Sequence, residues 1–358
     1  MNILHIIDDP KFIEACKLTF SIDGVKNFYV SKKDISMSII NNNNIEAIFV
    51  HFLTHHEVVF LKNNKLSIPV IWLYWGADAF SLPLFFNNFV GTKTKCLYER
   101  WLLKTKKYRR YLSFLMKDKF RYFLNFRNNV KDKVYAMNSF HYIVPIIPQD
   151  YTILKSKYPS ISGELYHFNY VTSIFLQDVN ELPFNNGKNI LLGNSATITN
   201  NHIEALDKLN LVDMANRKVI VPLTYGNSDY KGFILDFIKN YRNFEIEVIG
   251  EFMEFDKYTE IIGSCEIIVM NHYRQQALGN IILGLMFGCS IYLSEKSSIY
   301  DYLIDNGIKV YSIENLGDKF VLLGSDEKNC NRNKAIGLFG PQRQHMKVEN
   351  LLQKLKEK

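Results

Sequence analysis

The chain has 358 residues, 47% of them hydrophobic and 22% charged, with 26 Phe, 21 Tyr and a formal net charge of +7. That composition excludes a disordered or fibrous chain, and the length predicts two domains. No apolar run approaches the roughly 18 residues a spanning helix needs.

The start, Met1-Asn2-Ile3-Leu4-His5-Ile6-Ile7-Asp8-Asp9, has no basic segment, and Asp8 and Asp9 interrupt its apolar run. A signal peptide is therefore not expected, and the reading is cytoplasmic. Met1–Ile7 is a strand candidate and Pro10–Phe20 a helix. Further strands are expected at Lys26–Val30, Ile45–Phe52, Pro69–Trp75, Lys133–Met137 and Glu164–Tyr170. Near-continuous apolar strands separated by helix-length connections predict a parallel sheet covered on both faces.

Between these strands, residues 93–133 hold fourteen Lys/Arg against three acids, a local balance of +11, so the rest of the chain sums to −4. Leu97, Trp101, Tyr108, Tyr111 and Leu115 recur at helical spacing among the cations, and Phe120, Tyr122 and Phe123 extend the aromatic content. Three readings compete: a solvated basic face, an anionic membrane surface and nucleic acid. No nucleic-acid motif accompanies the charge. The mixture of Trp101 with Lys104, Lys106, Lys107, Arg109 and Arg110 favours the membrane surface.

A polar hinge is expected at Asp178–Lys188. Beyond it the strand–helix alternation resumes, with strands at Asn189–Leu192, Lys218–Pro222, Phe244–Ile249, Glu266–Met270, Cys289–Leu293 and Lys309–Tyr311. Helices are expected at Asn201–Leu211, Asp229–Asn240, Phe255–Cys265, Gly279–Phe287 and Gln344–Lys358. The fold class is thus α/β, with two doubly wound, Rossmann-like domains facing across a cleft. Residues 1–180 form the first, 188–340 the second, and 341–358 a terminal helix that packs back on the first. Ligands in such sheets bind beyond the carboxyl ends of the strands.

The loops at those ends carry the candidate chemistry. Gly193-Asn194-Ser195 follows a strand and precedes a helix, where Gly193 lets a ligand approach the backbone and exposed amides meet phosphate oxygens. Asn201 and Glu204 have capping-box spacing, with Asn in place of Ser/Thr. Tyr225-Gly226 closes the next strand. Arg274-Gln275-Gln276-Ala277-Leu278-Gly279-Asn280 sets a cation, two amides and a glycine just before an apolar helix, which suits a diphosphate. In the first half, Asp78 in Tyr74-Trp75-Gly76-Ala77-Asp78, His51 and Asp8 are candidate general bases at strand ends. His51 and His55 have helical spacing but lack the His-Glu-x-x-His pattern, and the five scattered Cys include no Cys-x-x-Cys, so no metal is expected. No Asp-x-Asp occurs, which favours neutralisation by Arg and backbone dipoles.

Tyr74-Trp75-Gly76-Ala77-Asp78, Gly163-Glu164-Leu165-Tyr166-His167-Phe168, Leu192-Gly193-Asn194-Ser195, Val221-Pro222-Leu223-Thr224-Tyr225-Gly226-Asn227 and Arg274-Gln275-Gln276-Ala277-Leu278-Gly279 occur in this order. Together they resemble the Fuc4NAc (4-acetamido-4,6-dideoxygalactose) transferases of glycosyltransferase family 56, from enterobacterial common antigen synthesis. The resemblance implies a GT-B fold without an essential metal or cofactor. It also implies a dTDP-sugar (or UDP-sugar) donor and a lipid-diphosphate-linked saccharide acceptor at the cytoplasmic face of the inner membrane. On that reading Gly193–Ser195, Tyr225, Gly226 and Arg274–Asn280 hold the donor, and Asp78, with His51 or Asp8 as substitutes, deprotonates the acceptor. A nucleotide-sugar 2-epimerase and a non-catalytic membrane-surface scaffold remain as rivals.

Overall fold

The computed structural model describes residues 1–80, 82, 85, 89–119, 126–176, 183–184 and 187–357. Two compact units emerge. The first comprises Met1–Phe86, Met116–Gln177 and Leu338–Lys358; the second comprises Asn87–Leu115 and Asp178–Gly337. The chain thus crosses between units four times, where the expected division crosses twice, near residue 180 and near residue 340. Most of the expected hinge, Asp178–Lys188, lies outside the described residues, as do Phe120, Tyr122 and Phe123.

The first unit is built on β1 (Asn2–Ile6), β2 (Lys26–Val30), β3 (Ala47–His51), β4 (Val70–Tyr74), β5 (Tyr142–Pro145) and β6 (Glu164–Leu165). All pair in parallel, in the order β2-β1-β3-β4-β5-β6. Every residue of β3 and β4 is buried, as expected for strands covered on both faces. Val348, Leu351, Leu352 and Leu355 of the Pro341–Lys356 helix join Ile3, Phe49, Ile71 and Val144 in one core.

One expected strand is a helix. Lys133–Met137 ends the Phe126–Met137 helix, and the strand is Tyr142–Pro145. Val130, Lys133, Val134 and Met137 recur at three- and four-residue spacing, which is the helical period. The β-branched pair masks that period over a short window. Lys62 pairs with Asp132 at 2.8 Å, fastening this helix to the His55–Asn63 helix.

The second unit contains β7 (Asn189–Leu192), β8 (Val219–Pro222), β9 (Ile246–Ile249), β10 (Cys265–Met270), β11 (Ser290–Leu293) and β12 (Tyr311–Ser312). They form a parallel sheet ordered β12-β11-β10-β7-β8-β9. Its core takes in Tyr98 and Leu102 from the basic segment, packed with Leu206, Tyr230 and Phe233. The basic segment forms two helices, Thr92–Lys104 and Tyr108–Lys119, separated by Lys106 at φ +58°.

The expected capping box at Asn201 does not form. Asn201 adopts φ +49° and makes no side-chain cap for the His202–Leu209 helix. Its Oδ1 accepts from Gly91 N at 2.7 Å. Glu204 instead accepts from the amide and hydroxyl of Thr94, at the start of the Thr92–Lys104 helix. A carboxylate there answers unpaired donors of the first turn, so a residue with the right spacing for one helix serves another.

Candidate functional site

Strand order in the second sheet reverses between β7 and β10, the position where ligands bind in open α/β sheets. The loop after β7 turns at Gly193, whose φ is +69°. A Cβ there would stand 2.7 Å from Asn200 Oδ1 and 2.8 Å from His202 Nε2, so only glycine fits. Asn200, missed in the sequence, is the hub of this loop. Its Oδ1 accepts from the Asn194 amide and from His272 Nε2, both at 2.9 Å. Its Nδ2 donates to Thr197 Oγ1 at 2.7 Å. Burial lowers the His272 pKa, with the Arg274 charge adding to the effect. The ring is therefore neutral, and its one proton goes to Asn200.

Gln276, in the loop after β10, donates to Asn194 Oδ1 at 3.0 Å and accepts from Thr199 Oγ1 at 2.8 Å. Asn194 Nδ2 donates in turn to the Tyr225 hydroxyl at 2.7 Å. The loop after β8 is joined by main-chain bonds, Ala196 N to Tyr225 O at 2.7 Å and Asn227 N to Ala196 O at 2.8 Å. Gly226 allows that approach: its φ is +121°, and a Cβ would stand 2.5 Å from Ala196 O. Buried Ser195 hydrogen-bonds Thr197 at 3.0 Å. Gly193, Asn194, Ser195, Tyr225, Gly226 and Gln276 are thus gathered into one network. Tyr225 stays 59% exposed, which leaves ring surface open for stacking.

Arg274 donates to Gln275 O, and its own carbonyl accepts from Ser297 Oγ, both at 3.0 Å. Gln275 is buried. Beyond Ala277, at φ +60°, the Leu278–Phe287 helix starts with no side-chain cap. The amides of Leu278, Gly279 and Asn280 therefore lie at an open positive helix end. The Asn280 side chain is directed elsewhere, donating to the Tyr258 hydroxyl at 2.8 Å. A guanidinium two residues from Gln276 and an open helix end two residues beyond it make this edge suited to a diphosphate.

The first sheet reverses between β1 and β3, and there a cavity of about 180 Å³ opens, lined among others by Asp8, Lys32, His51, Phe52, Glu57 and Trp75. Asp8 accepts from Ser31 Oγ at 2.7 Å and pairs with Lys32 at 2.7 Å. Burial raises its pKa, but the Lys32 ammonium, the Ser31 hydroxyl and the Lys32 amide outweigh that and hold it below the usual carboxylate range. His51 is buried with both ring nitrogens engaged: Nδ1 lies 2.6 Å from the Tyr170 hydroxyl, Nε2 3.1 Å from His5 Nδ1.

Asp78 is not among the lining residues. It is 2% exposed, and its Oδ2 accepts from Trp72 Nε1 at 2.7 Å and Leu53 N at 3.2 Å. Burial pushes its pKa up to about 6, against the pull of Lys133 and these hydrogen bonds. The carboxylate thereby supports the turn after Phe52, a bulky residue held at φ +71°, a conformation that costs energy and is found at functional sites. Phe52, Lys32 and Asn200 were missed because each acts through partners distant in sequence. An aromatic residue just beyond a strand signals nothing until its φ is known.

Of the six residues assigned to the membrane surface, three are engaged within the second unit. Trp101 donates to Asp236 at 2.9 Å and packs against Phe233. Lys107 and Arg110 both pair with Asp229. Lys104, Lys106 and Arg109 are exposed alongside exposed Leu103, Tyr108 and Leu112. Among the described residues no helix is long and apolar enough to cross a membrane.

A family model described as 4-alpha-L-fucosyltransferase, glycosyl transferase group 56, matches residues 104–354. Among solved structures, the chain is similar to HepE from Anabaena, in complex with UDP and glucose, at 9% identity and TM-score 0.61, covering 99% of this chain and 100% of that one. It is similar to sucrose-phosphate synthase from Thermosynechococcus elongatus, at 10% identity and TM-score 0.63, covering 100% and 99%. A glycosyltransferase from Rickettsia africae matches at 11% identity and TM-score 0.61, covering 99% and 98%. These likenesses show the fold, which is GT-B.

Proposed function

The chain belongs to glycosyl transferase group 56 and is a glycosyltransferase, and from that premise we propose that it moves an amino-deoxy sugar of the Fuc4NAc type from a dTDP-sugar to a lipid-diphosphate-linked saccharide. The observation that carries the reading is the edge at β7 and β10, where Arg274 and the uncapped Leu278–Phe287 helix stand beside the Gly193–Asn194–Gln276 network. Charge develops on a diphosphate as the sugar leaves, and preorganised cations and dipoles at that point supply the stabilisation. Tyr225 offers a stacking face, and its hydroxyl is fixed by Asn194.

In the first unit the acceptor hydroxyl enters the cavity between β1 and β3. Asp8 is the group there that takes its proton, because it is ionised and lines the cavity, whereas His51 has both nitrogens engaged and Asp78 is turned onto Trp72. Lys104, Lys106 and Arg109, with Leu103 and Leu112, hold the enzyme to the anionic cytoplasmic face of the inner membrane, where such an acceptor is anchored.

The test is mass spectrometry of lipid-linked saccharides after incubation with a panel of nucleotide sugars. A product heavier by one amino-deoxy residue, formed from the dTDP-sugar and lost with Arg274→Ala, supports the reading. An isomerised nucleotide sugar formed without acceptor would show an epimerase, and no turnover of any donor would show a scaffold.

A further inference from the structure

Outside the proposed donor site, three metal-ligating side chains meet in the core of the first unit. They are His5 on β1, Cys16 on the Pro10–Thr19 helix and His51 at the end of β3, and all three are buried. His5 Nδ1 lies 3.1 Å from His51 Nε2, and Cys16 Sγ lies 3.4 Å and 4.0 Å from these two nitrogens. With zinc–nitrogen bonds of about 2.0 Å and zinc–sulfur bonds of about 2.3 Å, tetrahedral ligand atoms stand roughly 3.3–3.6 Å apart. The observed triangle brackets one face of that tetrahedron.

The surrounding contacts set the tautomers such an ion requires. His5 Nε2 lies 3.0 Å from Asn27 Oδ1, and the Asn27 amide is oriented by donating its Nδ2 to Phe20 O at 2.9 Å. The proton of His5 is therefore on Nε2, and Nδ1 presents a lone pair. His51 Nδ1 faces the Tyr170 hydroxyl at 2.6 Å, so a proton on Nδ1 leaves Nε2 as the second lone pair. The Tyr29 hydroxyl faces the Cys16 sulfur. Outer partners of this kind fix ring orientation around bound metals. Of the three, His51 also lines the cavity between β1 and β3.

We propose that His5 Nδ1, His51 Nε2 and Cys16 Sγ bind a divalent ion of the zinc class, with water from the cavity as fourth ligand. Binding releases the thiol proton of Cys16 to solvent and ties β1, the first helix and β3 together beneath the acceptor cavity. The ligands come from positions 5, 16 and 51, so no local spacing in the sequence reveals them.

Full-length protein, stripped with chelator, is titrated with cobalt and, separately, loaded with zinc, desalted and assayed for metal content. One equivalent of zinc per chain and a thiolate-to-cobalt charge-transfer band are expected. Both are lost in Cys16→Ser, whose fold is checked by circular dichroism. Asn27→Ala keeps the three ligands and is expected to weaken cobalt binding by roughly 10–100-fold. Zinc retention equal to that of Cys16→Ser, or cobalt binding without the thiolate band, overturns the proposal. The contacts would then be a metal-free chain of hydrogen bonds from Tyr170 through His51 and His5 to Asn27.

Discussion

Gln276 donates from Nε2 to the Asn194 side-chain oxygen at 3.0 Å, tying the loop after β10 to the loop after β7 across the reversal of strand order. Gln276→Ala removes that bond together with the one accepted from Thr199. A net loss of about 1 kcal/mol, roughly five-fold in affinity, follows for one such bond. Steady-state kinetics should show it as a higher KM for the nucleotide sugar, with kcat changed less. An unchanged KM would mean the network does not shape the donor site.

Gly193→Ala tests the turn itself. The substitution forces a side chain into left-handed backbone and sets its Cβ 2.7 Å from Asn200 Oδ1. A loss of about 1–3 kcal/mol is expected from the backbone conformation, read as a lower midpoint in urea unfolding. Nucleotide binding should fall further than stability alone predicts, because Asn200 must move and release Asn194.

Asp78 makes stability depend on pH in an unusual direction. Its folded-state pKa of about 6 lies above the ordinary 3.8 because of burial. Its stabilising contribution is therefore whole below about pH 4 and is lost as pH rises through 6. Asp78→Asn keeps an acceptor for Trp72 and Leu53 and removes the titration. The variant's stability relative to the parent should be lowest near pH 4 and rise by on the order of 3 kcal/mol by pH 8. Denaturant unfolding at both values measures the difference; a gap independent of pH would show the carboxyl titrates normally.

The basic helices offer a sharper division than their sequence did. Replacing Lys104, Lys106 and Arg109 together by Gln should cost about 1 kcal/mol per charge in binding to anionic vesicles. Replacing Lys107 and Arg110 should instead lower the stability of the second unit, since both pair with Asp229. Vesicle sedimentation and thermal melting separate the two effects. Equal vesicle binding by all variants would remove the membrane role.

Much of the fold was legible because β1, β3, β4, β7 and β10 are apolar runs bounded by polar loops, a pattern that only doubly covered strands need. Tyr142–Pro145 was not legible, being four residues long and preceded by a helix whose last turn, Val134-Tyr135-Ala136-Met137, is as apolar as a short strand. The loops proposed to hold the donor stood out because small and polar residues cluster at strand ends. Their hub, Asn200, was not, since its work depends on His272, 72 residues away. Asp78 read as a candidate general base, though it does not line the cavity, for a plainer reason. A carboxylate at a strand end has the same local sequence whether it faces a cavity or turns back to an indole, and only the 2.7 Å bond to Trp72 decides.

A crystal structure with dTDP shows directly where the nucleoside diphosphate sits. The diphosphate is expected against Arg274 and the amides of Leu278 to Asn280, with the Gly193–Asn194 turn beside it and Tyr225 near the base or sugar. A dTDP molecule bound at any other edge of the second sheet, with Arg274 untouched, would contradict the proposed donor site.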